Sequence, residues 1–478
     1  MLRLRTQVLS EGDAEKIHHA GLEVAERVGI RCDNARLRDD LRKRGCEVDD
    51  GSGIVRIPRE LARESYASVG REPVLKCVNG KELHCHGDSR YYGSLILDPI
   101  IVDYQEGPRP PRLADIERHA KLGDALPLVD SMYKMEHALS DVPDEFSEIR
   151  GLETFMANQA ASYCAAPSNM ETARLWVEMS EIMACGSLSD NPILQGYVAT
   201  VSPLVFPDGA ATMLRYFLDH GVVMRCGPCP IAGGTSPYSL AGTLALCEAE
   251  NAFFVTAHQT LAPGAPMFYA AGAHPMEMAS GGFSYTGPIK DILHLAYIEI
   301  AEDYHKIPWF GGTFATHVSK FDYQNGVETA LGAAYSVLTS ATVIAGLGSN
   351  ANASGMSAEQ IVLHYELVER IHRYRAGVDV TDEKLSVQSI AAQGPGGNYL
   401  MDDLSLKHMR TDEHYESDLL PVFAPGKDDD LALDLAHARA EDLIASHTPQ
   451  VPDDRLAELR RYVEEREAEI GRERGGAQ

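Results

Sequence analysis

The stretch 269–285 brings a carboxylate and several aromatic side chains close together. Glu277 offers a negative charge, and Tyr269, Phe283 and Tyr285 offer ring faces. A carboxylate beside aromatic rings suits a quaternary ammonium group, because both attract a cation that cannot lose its charge. The same rings could equally serve to pack the loop, and the sequence leaves these two interpretations open.

A loop at 346–356, rich in Gly, Ser and Asn, is the second candidate site. Gly346, Gly348 and Ala351 loosely match the dinucleotide-binding pattern GxGxxA. A dinucleotide loop opens its helix at once, whereas the next helix here is expected only near Ser357, and the usual acidic residue is missing. We therefore exclude dinucleotide binding and keep the loop as a site candidate.

Cys226 and Cys229 have the spacing of a redox pair, but the sequence around them does not open a helix. A zinc site would need a second pair of ligands nearby, and none has suitable spacing. We expect both cysteines to be reduced and metal-free in a tight loop, and we predict no metal site in the chain.

Conventional acid–base and nucleophile machinery is sparse. The chain has neither a GxSxG nor an HExxH motif. His317 and His274 could exchange protons, although a lone histidine is more often structural. His364 is expected to lie on a helix and to face solvent.

The pattern from residue 113 onward predicts a scaffold that could gather these segments. Apolar runs alternate with helical stretches at roughly 30–45 residues, the scale of a βα unit. Seven runs are clear and an eighth is weak; the seven lie at 128–135, 160–165, 193–201, 222–225, 266–271, 308–314 and 341–345. We predict the α/β class and a closed (β/α)₈ TIM barrel, with an open doubly wound sheet as the alternative.

In such a barrel the chemistry lies at the C-terminal ends of the strands. The segments expected to meet there are 200–202, 226–236, 269–287, 311–317 and 346–356, which together include Thr313 and His317. Residues 1–112 are expected to form an N-terminal helical and β cap, 113–420 the barrel, and 421–478 a C-terminal helical tail that is solvated or contacts another subunit.

Composition excludes several classes of protein. The formal net charge of −27 disfavours binding to nucleic acid or to an anionic membrane. No apolar run is long enough to span a bilayer, and the N-terminus lacks the apolar stretch of a signal peptide. Nine cysteines with scattered spacing indicate reduced thiols. These features predict a cytoplasmic location and leave the oligomeric state open, a homo-oligomer included.

The order of short segments from Ser10 to Leu420 resembles the trimethylamine methyltransferase (MttB-like) family, which also includes glycine betaine methyltransferase. Each segment is short, and their common order makes the resemblance specific. The segments are Arg112-Leu-Ala-Asp115, Asp124-Ala-Leu-Pro127, Pro228-Cys-Pro230, Ser236-Pro237, Leu240-Ala-Gly242, Ala249-Glu250, Ala262-Pro-Gly264-Ala-Pro266, Gly394-Pro-Gly-Gly397 and Lys407-His408-Met409-Arg410.

The resemblance implies a (β/α)₈ barrel and methyl transfer from a methylated amine to the Co(I) of a separate corrinoid protein. It implies no tightly bound cofactor, since the cobalamin belongs to that partner. Founding members carry pyrrolysine in the loop before a helix that starts Ser-x-Glu. Here that helix starts at Ser357, and the loop before it holds only ordinary residues. The resemblance therefore favours the branch without pyrrolysine.

The resemblance, together with the residue types themselves, gives expected roles for single residues. Asn350 and Asn352, near the pyrrolysine position, are expected to orient the methyl group or a substrate carboxylate, with His317 as a third candidate catalytic group. Thr313, Ala351 and Ala353 are expected to contact substrate, as are Tyr269, Glu277, Phe283 and Tyr285. Glu277 falls where the family has an acidic residue, so we expect Glu277→Gln to raise KM more than it lowers kcat.

A quaternary amine such as a betaine is the expected substrate. Its leaving group is a neutral tertiary amine, so positioning and desolvation matter more than acid catalysis. One departure concerns Gly287-Pro288-Ile289, where the family often has an acidic residue after the proline. Another methylated amine, or a protein that binds betaine without turnover, are the alternatives.

Overall fold

The structure is a computed structural model that describes residues 7–86, 89–94, 99–135, 138–312, 314–409, 411, 417, 419–420 and 431–475. Within these residues no helix has the length and apolar character needed to cross a bilayer.

The N-terminal region is a small unit of helices and short strands, and it packs against a helix that comes later in the chain. Asn34 caps its second helix by accepting a hydrogen bond from the Leu37 N–H, and Gly45 ends that helix at φ 113°. Its elements are α1 (Asp13–Arg27), β1 (Ile30–Cys32), α2 (Ala35–Arg44), β2 (Glu47–Asp49), β3 (Ile54–Arg56), α3 (Arg59–Ser68), β4 (Val74–Lys76) and β5 (Glu82–His84).

Strands and helices then alternate up to residue 376. In chain order they are β6 (Tyr91–Ser94), β7 (Ile100–Asp103), β8 (Gly107–Arg109), α4 (Leu113–Ala125), β9 (Val129–Tyr133), α5 (Asp144–Ala157), β10 (Ser162–Ala165), α6 (Met170–Ala184), β11 (Leu194–Val198), β12 (Val205–Phe206), α7 (Asp208–Asp219), β13 (Val223–Cys226), β14 (Ile231–Ala232), α8 (Leu240–Leu261), β15 (Met267–Tyr269), β16 (His274–Pro275), α9 (Pro288–Ile298), a π-helical segment (Glu299–His305), β17 (Phe310–Gly312), α10 (Tyr323–Val337), β18 (Val343–Leu347), β19 (Ser349–Asn350), β20 (Gly355–Met356) and α11 (Ala358–Ala376).

Eight parallel strands of the described chain form the barrel. Their spatial order is β15-β13-β11-β10-β9-β6-β18-β17, so neighbours in space are neighbours in the barrel's chain order. A parallel bridge between Tyr269 and Trp309 joins β15 to β17 and closes the ring. The predicted (β/α)₈ barrel is confirmed, and the open doubly wound sheet is excluded.

The first barrel strand lies earlier than expected. Residues 91–94 had been assigned to the cap, whereas β6 pairs with both β18 and β9 inside the barrel. The hairpin β7–β8 follows β6 directly and separates it from α4, which hides the usual strand–helix spacing. The boundary expected at residue 112 therefore falls after the first barrel strand, and the seven predicted strands are the second to the eighth.

The C-terminal helices are α12 (Val387–Gln393), α13 (Asp403–His408), α14 (Leu431–Ser446) and α15 (Asp453–Gly475). α14 packs on α11 and α4, and α15 packs on α5 and α6. Leu459 and Val463 of α15 are buried, and Arg455 donates to the carbonyls of Val78 and Met183. The described part of the tail is therefore packed against the body and is not a solvated arm.

Candidate functional site

A cavity of about 570 Å³ lies at the C-terminal ends of the barrel strands. We call it the mouth cavity. Its walls come from the ends of β11, β13 and β17, from the residues that follow β10, β11, β13, β15, β17 and β18, and from the first turns of α7 and α9. This is the face where barrel strands deliver their functional side chains.

Two buried cations line the mouth cavity. Arg225, on β13, is 5% exposed, and Lys290, on α9, is 6% exposed. Burial lowers the pKa of both side chains, since each loses hydration of its charged form. Among the described residues neither side chain forms an ion pair within 4.0 Å, and the Arg225 Nε has no hydrogen-bond partner. Asp291, the neighbour of Lys290 in sequence, acts on Lys290 electrostatically, so Arg225 is the cation that no described carboxylate balances.

Aromatic rings hold the Arg225 guanidinium in place. Its central carbon lies 4.1 Å from the ring centre of Phe310, 4.8 Å from that of Tyr197 and 5.6 Å from that of Tyr133. Such contacts stabilise a cation without neutralising it, and they leave its N–H groups available to a ligand. Tyr197 is itself fixed by donating from its hydroxyl to the Gly227 carbonyl at 3.1 Å.

Two histidines of the cavity are uncharged at neutral pH. Burial lowers the pKa of His274 to about 3 and holds the pKa of His294 well below its ordinary value. The His274 ring lies 4.1 Å from that of Tyr285, and the buried His294 Nε2 has no partner among the described residues. These side chains can supply polar contacts to a ligand without adding charge.

The loop after β18 has an unusual backbone. Ala351, Asn352 and Ala353 all have positive φ, at 48°, 57° and 57°. A residue with a side chain costs roughly 1–2 kcal/mol in this left-handed region, so three in a row indicate a conformation imposed by its surroundings. Ala353 lines the mouth cavity.

Neighbouring loops impose that conformation through hydrogen bonds. The backbone N–H groups of Ala351 and Asn352 donate to the carbonyls of Val318 and Thr316, at 3.1 and 2.8 Å. The Asn352 side chain accepts from the Tyr285 N–H at 2.9 Å and donates to the Phe283 carbonyl at 3.1 Å. Asn352 therefore fixes the segment that carries Tyr285, a residue of the cavity wall.

A buried histidine supports the same loop from below. His364 is fully buried, which contradicts the expectation that it faces solvent. The Gly348 N–H donates to its Nδ1 at 3.0 Å, and its ring stacks on Phe314 of the cavity wall with centres 5.1 Å apart. Burial lowers the pKa of His364 to about 3, so it acts here as a neutral acceptor.

The structure brings only part of the predicted site to the cavity. Tyr285 and Ala353 line it, and Asn352 positions Tyr285. Ala351 lies beside them in the strained loop. Asn350 is fully buried and does not line the cavity, and neither polar atom of its side chain has a hydrogen-bond partner among the described residues. Thr313 lies outside the described residues.

Four other predicted residues lie away from the cavity. Glu277 is exposed, and its carboxylate accepts a hydrogen bond from the Ser280 N–H at 2.7 Å within a surface turn. Tyr269 is buried on the outer side of β15, where it donates to Glu248 of α8. Phe283 is 39% exposed beside Tyr285. His317 is exposed, with its Nδ1 3.3 Å from the Ser284 hydroxyl.

These positions correct the sequence analysis, which inferred the site from proximity along the chain. Successive residues of a strand point to opposite faces, so Tyr269 turns away from the interior. The missed residues are the cations. Arg225 could have been noticed as a charged residue inside an apolar strand, whereas nothing local indicated that Lys290 is buried. Cys226 and Cys229 are free thiols, and Cys229 lines the cavity.

Comparison with known proteins gives both sequence and fold relatives. A family model described as trimethylamine methyltransferase (MTTB) matches residues 3–471. The glycine betaine methyltransferase of Desulfitobacterium hafniense (strain Y51) is 24% identical over 482 residues, which cover 98% of each chain. The trimethylamine methyltransferase MttB of Methanosarcina barkeri (strain Fusaro) is 24% identical over 466 residues, covering 91% of this chain and 90% of its own.

A solved structure matches the fold. The monomethylamine methyltransferase MtmB of Methanosarcina barkeri superposes with a TM-score of 0.54 at 12% identity, covering 92% of this chain and 90% of that one.

Proposed function

Since this chain belongs to the trimethylamine methyltransferase family, we propose that it removes a methyl group from a quaternary amine that also carries a carboxylate, that is, a betaine. The acceptor is the Co(I) of a separate corrinoid protein. The observation that carries the proposal is the pair of buried cations in an aromatic-walled cavity, neither of which forms an ion pair with a described carboxylate.

A zwitterion fits this charge pattern better than a simple amine. The substrate carboxylate would accept hydrogen bonds from Arg225 and Lys290, and such charge-assisted bonds contribute roughly 1–3 kcal/mol each. The trimethylammonium end would lie against the rings of Tyr285 or Phe314, which line the same cavity and do not hold Arg225. A cation without a carboxylate would meet two like charges and gain nothing in exchange.

The positive cavity also favours the reaction. As the methyl group leaves, the C–N bond breaks with its electron pair on nitrogen, and the methyl carbon bonds to the acceptor. The substrate nitrogen thus loses its positive charge. Nearby cations disfavour the charged ground state more than the less charged transition state, which lowers the barrier. No proton is transferred, in keeping with histidines that are neutral at physiological pH.

This proposal assigns new roles within the predicted site. Arg225 and Lys290 bind and orient the carboxylate, in place of Glu277 as the expected charge partner of the ammonium. Asn352 acts as a positioning residue, because both ends of its amide hold the segment 283–285. The strained loop then presents Ala353 as a small, rigid part of the wall.

A methyl-transfer assay with Co(I) cobalamin and a panel of amines tests the proposal. Glycine betaine and longer betaines should react, while choline and trimethylamine, which lack a carboxylate, should have at least about tenfold lower kcat/KM. Equal rates for choline and betaine would overturn the carboxylate role and favour another methylated amine. Tight betaine binding in calorimetry without any turnover would instead identify a binding protein.

A further inference from the structure

A second group of polar side chains is buried between the N-terminal region and the barrel. His18 lies on α1, Glu248 on α8, and His305 at the end of the π-helical segment. The His18 Nδ1 is 2.9 Å from the Glu248 Oε2, and the His305 Nε2 is 3.1 Å from the same oxygen. We call these three residues the His–Glu cluster.

The cluster is enclosed on all sides. His18, Glu248 and His305 are 4%, 0% and 7% exposed. The other carboxylate oxygen of Glu248 accepts from the Tyr269 hydroxyl, and Tyr66 stacks on the His305 ring with centres 4.3 Å apart. Among the described residues, no Lys or Arg pairs with Glu248. A buried carboxylate is therefore left with imidazole and phenol partners.

This donor set is suited to a divalent cation. One atom from each of the three residues can be chosen so that all lie within 4.8 Å of one another, and no other described group of three or more His, Cys, Asp or Glu side chains meets that criterion. Two imidazoles and a carboxylate are ligands that zinc prefers, at about 2.0–2.2 Å from the ion. Tyr269 would orient the carboxylate from outside, as partners of metal ligands commonly do.

From this geometry we propose that His18, Glu248 and His305 bind a divalent metal ion, with zinc as the best match, at a structural site whose ligands do not line the mouth cavity. The ion joins α1, α8 and the π-helical segment, and so ties the N-terminal region to the barrel. Glu248 would gain a permanently positive partner, which neither a Lys nor an Arg of the described chain supplies. The sequence analysis considered only local spacing and so did not consider this set, whose members are far apart in the sequence.

The approach of α1 to α8 maintains the distances. A Cβ placed on Gly21 would lie 2.4 Å from the Glu248 Cβ, so only glycine lets the two helices meet at this point. His18 is one turn away from Gly21 on the same face of α1. The close contact therefore holds an imidazole directly against the Glu248 carboxylate.

The test is metal binding by the full-length chain, purified without a histidine tag, stripped with a chelator and titrated with zinc. We expect about one zinc per chain by elemental analysis after desalting. His18→Ala with His305→Ala should weaken binding at least tenfold. Glu250→Gln is the matched control, because Glu250 is a second buried carboxylate of α8 that accepts hydrogen bonds from the Thr200 and Ser202 hydroxyls and the Leu204 N–H.

A spectroscopic readout keeps the test decisive if the double variant fails to fold. Cobalt(II) added to the stripped wild-type chain should give the visible absorption of protein-bound cobalt, and zinc should abolish it. Failure of the wild-type chain to retain zinc or cobalt would overturn the proposal. So would zinc retention by the folded double variant at the wild-type level, since the ion would then lie elsewhere, for example at the exposed Cys185 or Cys229.

Discussion

The mouth cavity and the His–Glu cluster have opposite charge imbalances. The cavity buries Arg225 and Lys290 with no described carboxylate in ion-pair contact with either, whereas the cluster buries Glu248 without a described Lys or Arg. Burying a charge without a partner is costly, so each region is suited to a ligand of the opposite sign. The mouth cavity would bind the carboxylate of a substrate, and the His–Glu cluster would bind a metal cation.

A third buried region has its charges balanced. Arg109 lies 2.7 Å from Asp115 and 2.8 Å from Asp103, and its side chain is 12% exposed. Asp115 also accepts from the Arg112 N–H at the start of α4. Here the chain supplies its own counter-charges, and a ligand would gain little. The contrast teaches that the balance of buried charge indicates a binding site better than burial alone does.

The largest expected effect on activity concerns Arg225. Arg225→Gln removes one charge contact to the substrate carboxylate and should raise KM for betaine by roughly 10- to 100-fold, equivalent to about 1.5–3 kcal/mol. The melting temperature should stay level or rise, because an unbalanced buried cation is lost. Steady-state kinetics and calorimetry measure the two effects. An unchanged KM would show that Arg225 does not bind the substrate carboxylate, and the proposed role of the mouth cavity would fail.

Glu302 offers a pH test of buried charge. Its carboxylate accepts from Thr342 and from the Trp309 N–H, and burial raises the pKa of Glu302 to about 7. A raised folded-state pKa means that the fold is most stable below about pH 4.5 with respect to this group. That stability is lost as pH rises through 7, by about 3 kcal/mol in total.

Glu302→Gln should remove this dependence. The variant should become more stable than the wild type as pH rises from 5 to 8, as measured by urea unfolding at each pH. If the free energy of unfolding had the same pH dependence in both proteins, ionisation of the Glu302 carboxyl would not destabilise the fold.

Gly21→Ala tests the close contact between α1 and α8 beside the His–Glu cluster. The added methyl group would collide with the Glu248 Cβ, so α1 must shift away from α8. Overpacking of this kind costs about 1–3 kcal/mol, which denaturant unfolding would detect. Betaine kinetics should stay close to the wild type, because the mouth cavity is lined by other elements. A stable variant with a damaged KM would contradict the separation of the two regions.

The smallest effect is expected for Glu277→Gln. Glu277 is exposed and bonded within its own turn, so KM and kcat should both remain within about twofold, less than 0.5 kcal/mol. This outcome replaces the sequence-based expectation of a raised KM. A large rise in KM would restore Glu277 to the site and weaken the case for Arg225.

Sequence patterns predicted the barrel because βα spacing is a local, repeated property. Seven strands were found, and the eighth was missed because β7 and β8 separate β6 from its helix. The site was harder to predict. Tyr285 and Ala353 were identified from strand ends, but the direction of Tyr269 depended on strand register. Lys290 is buried by packing between segments that are distant in the sequence, and the residues next to it in the chain do not reveal this.

The tail helix α15 has a consequence for the order in which the protein is made. Arg455 holds the carbonyls of Val78 and Met183, and Leu459 and Val463 are buried where α15 lies on α5 and α6. Translation produces α5 and α6 well before α15, so their outer surfaces stay exposed to water on the ribosome until α15 has been made. A nascent barrel stalled before residue 453 would thus present that apolar surface to chaperones.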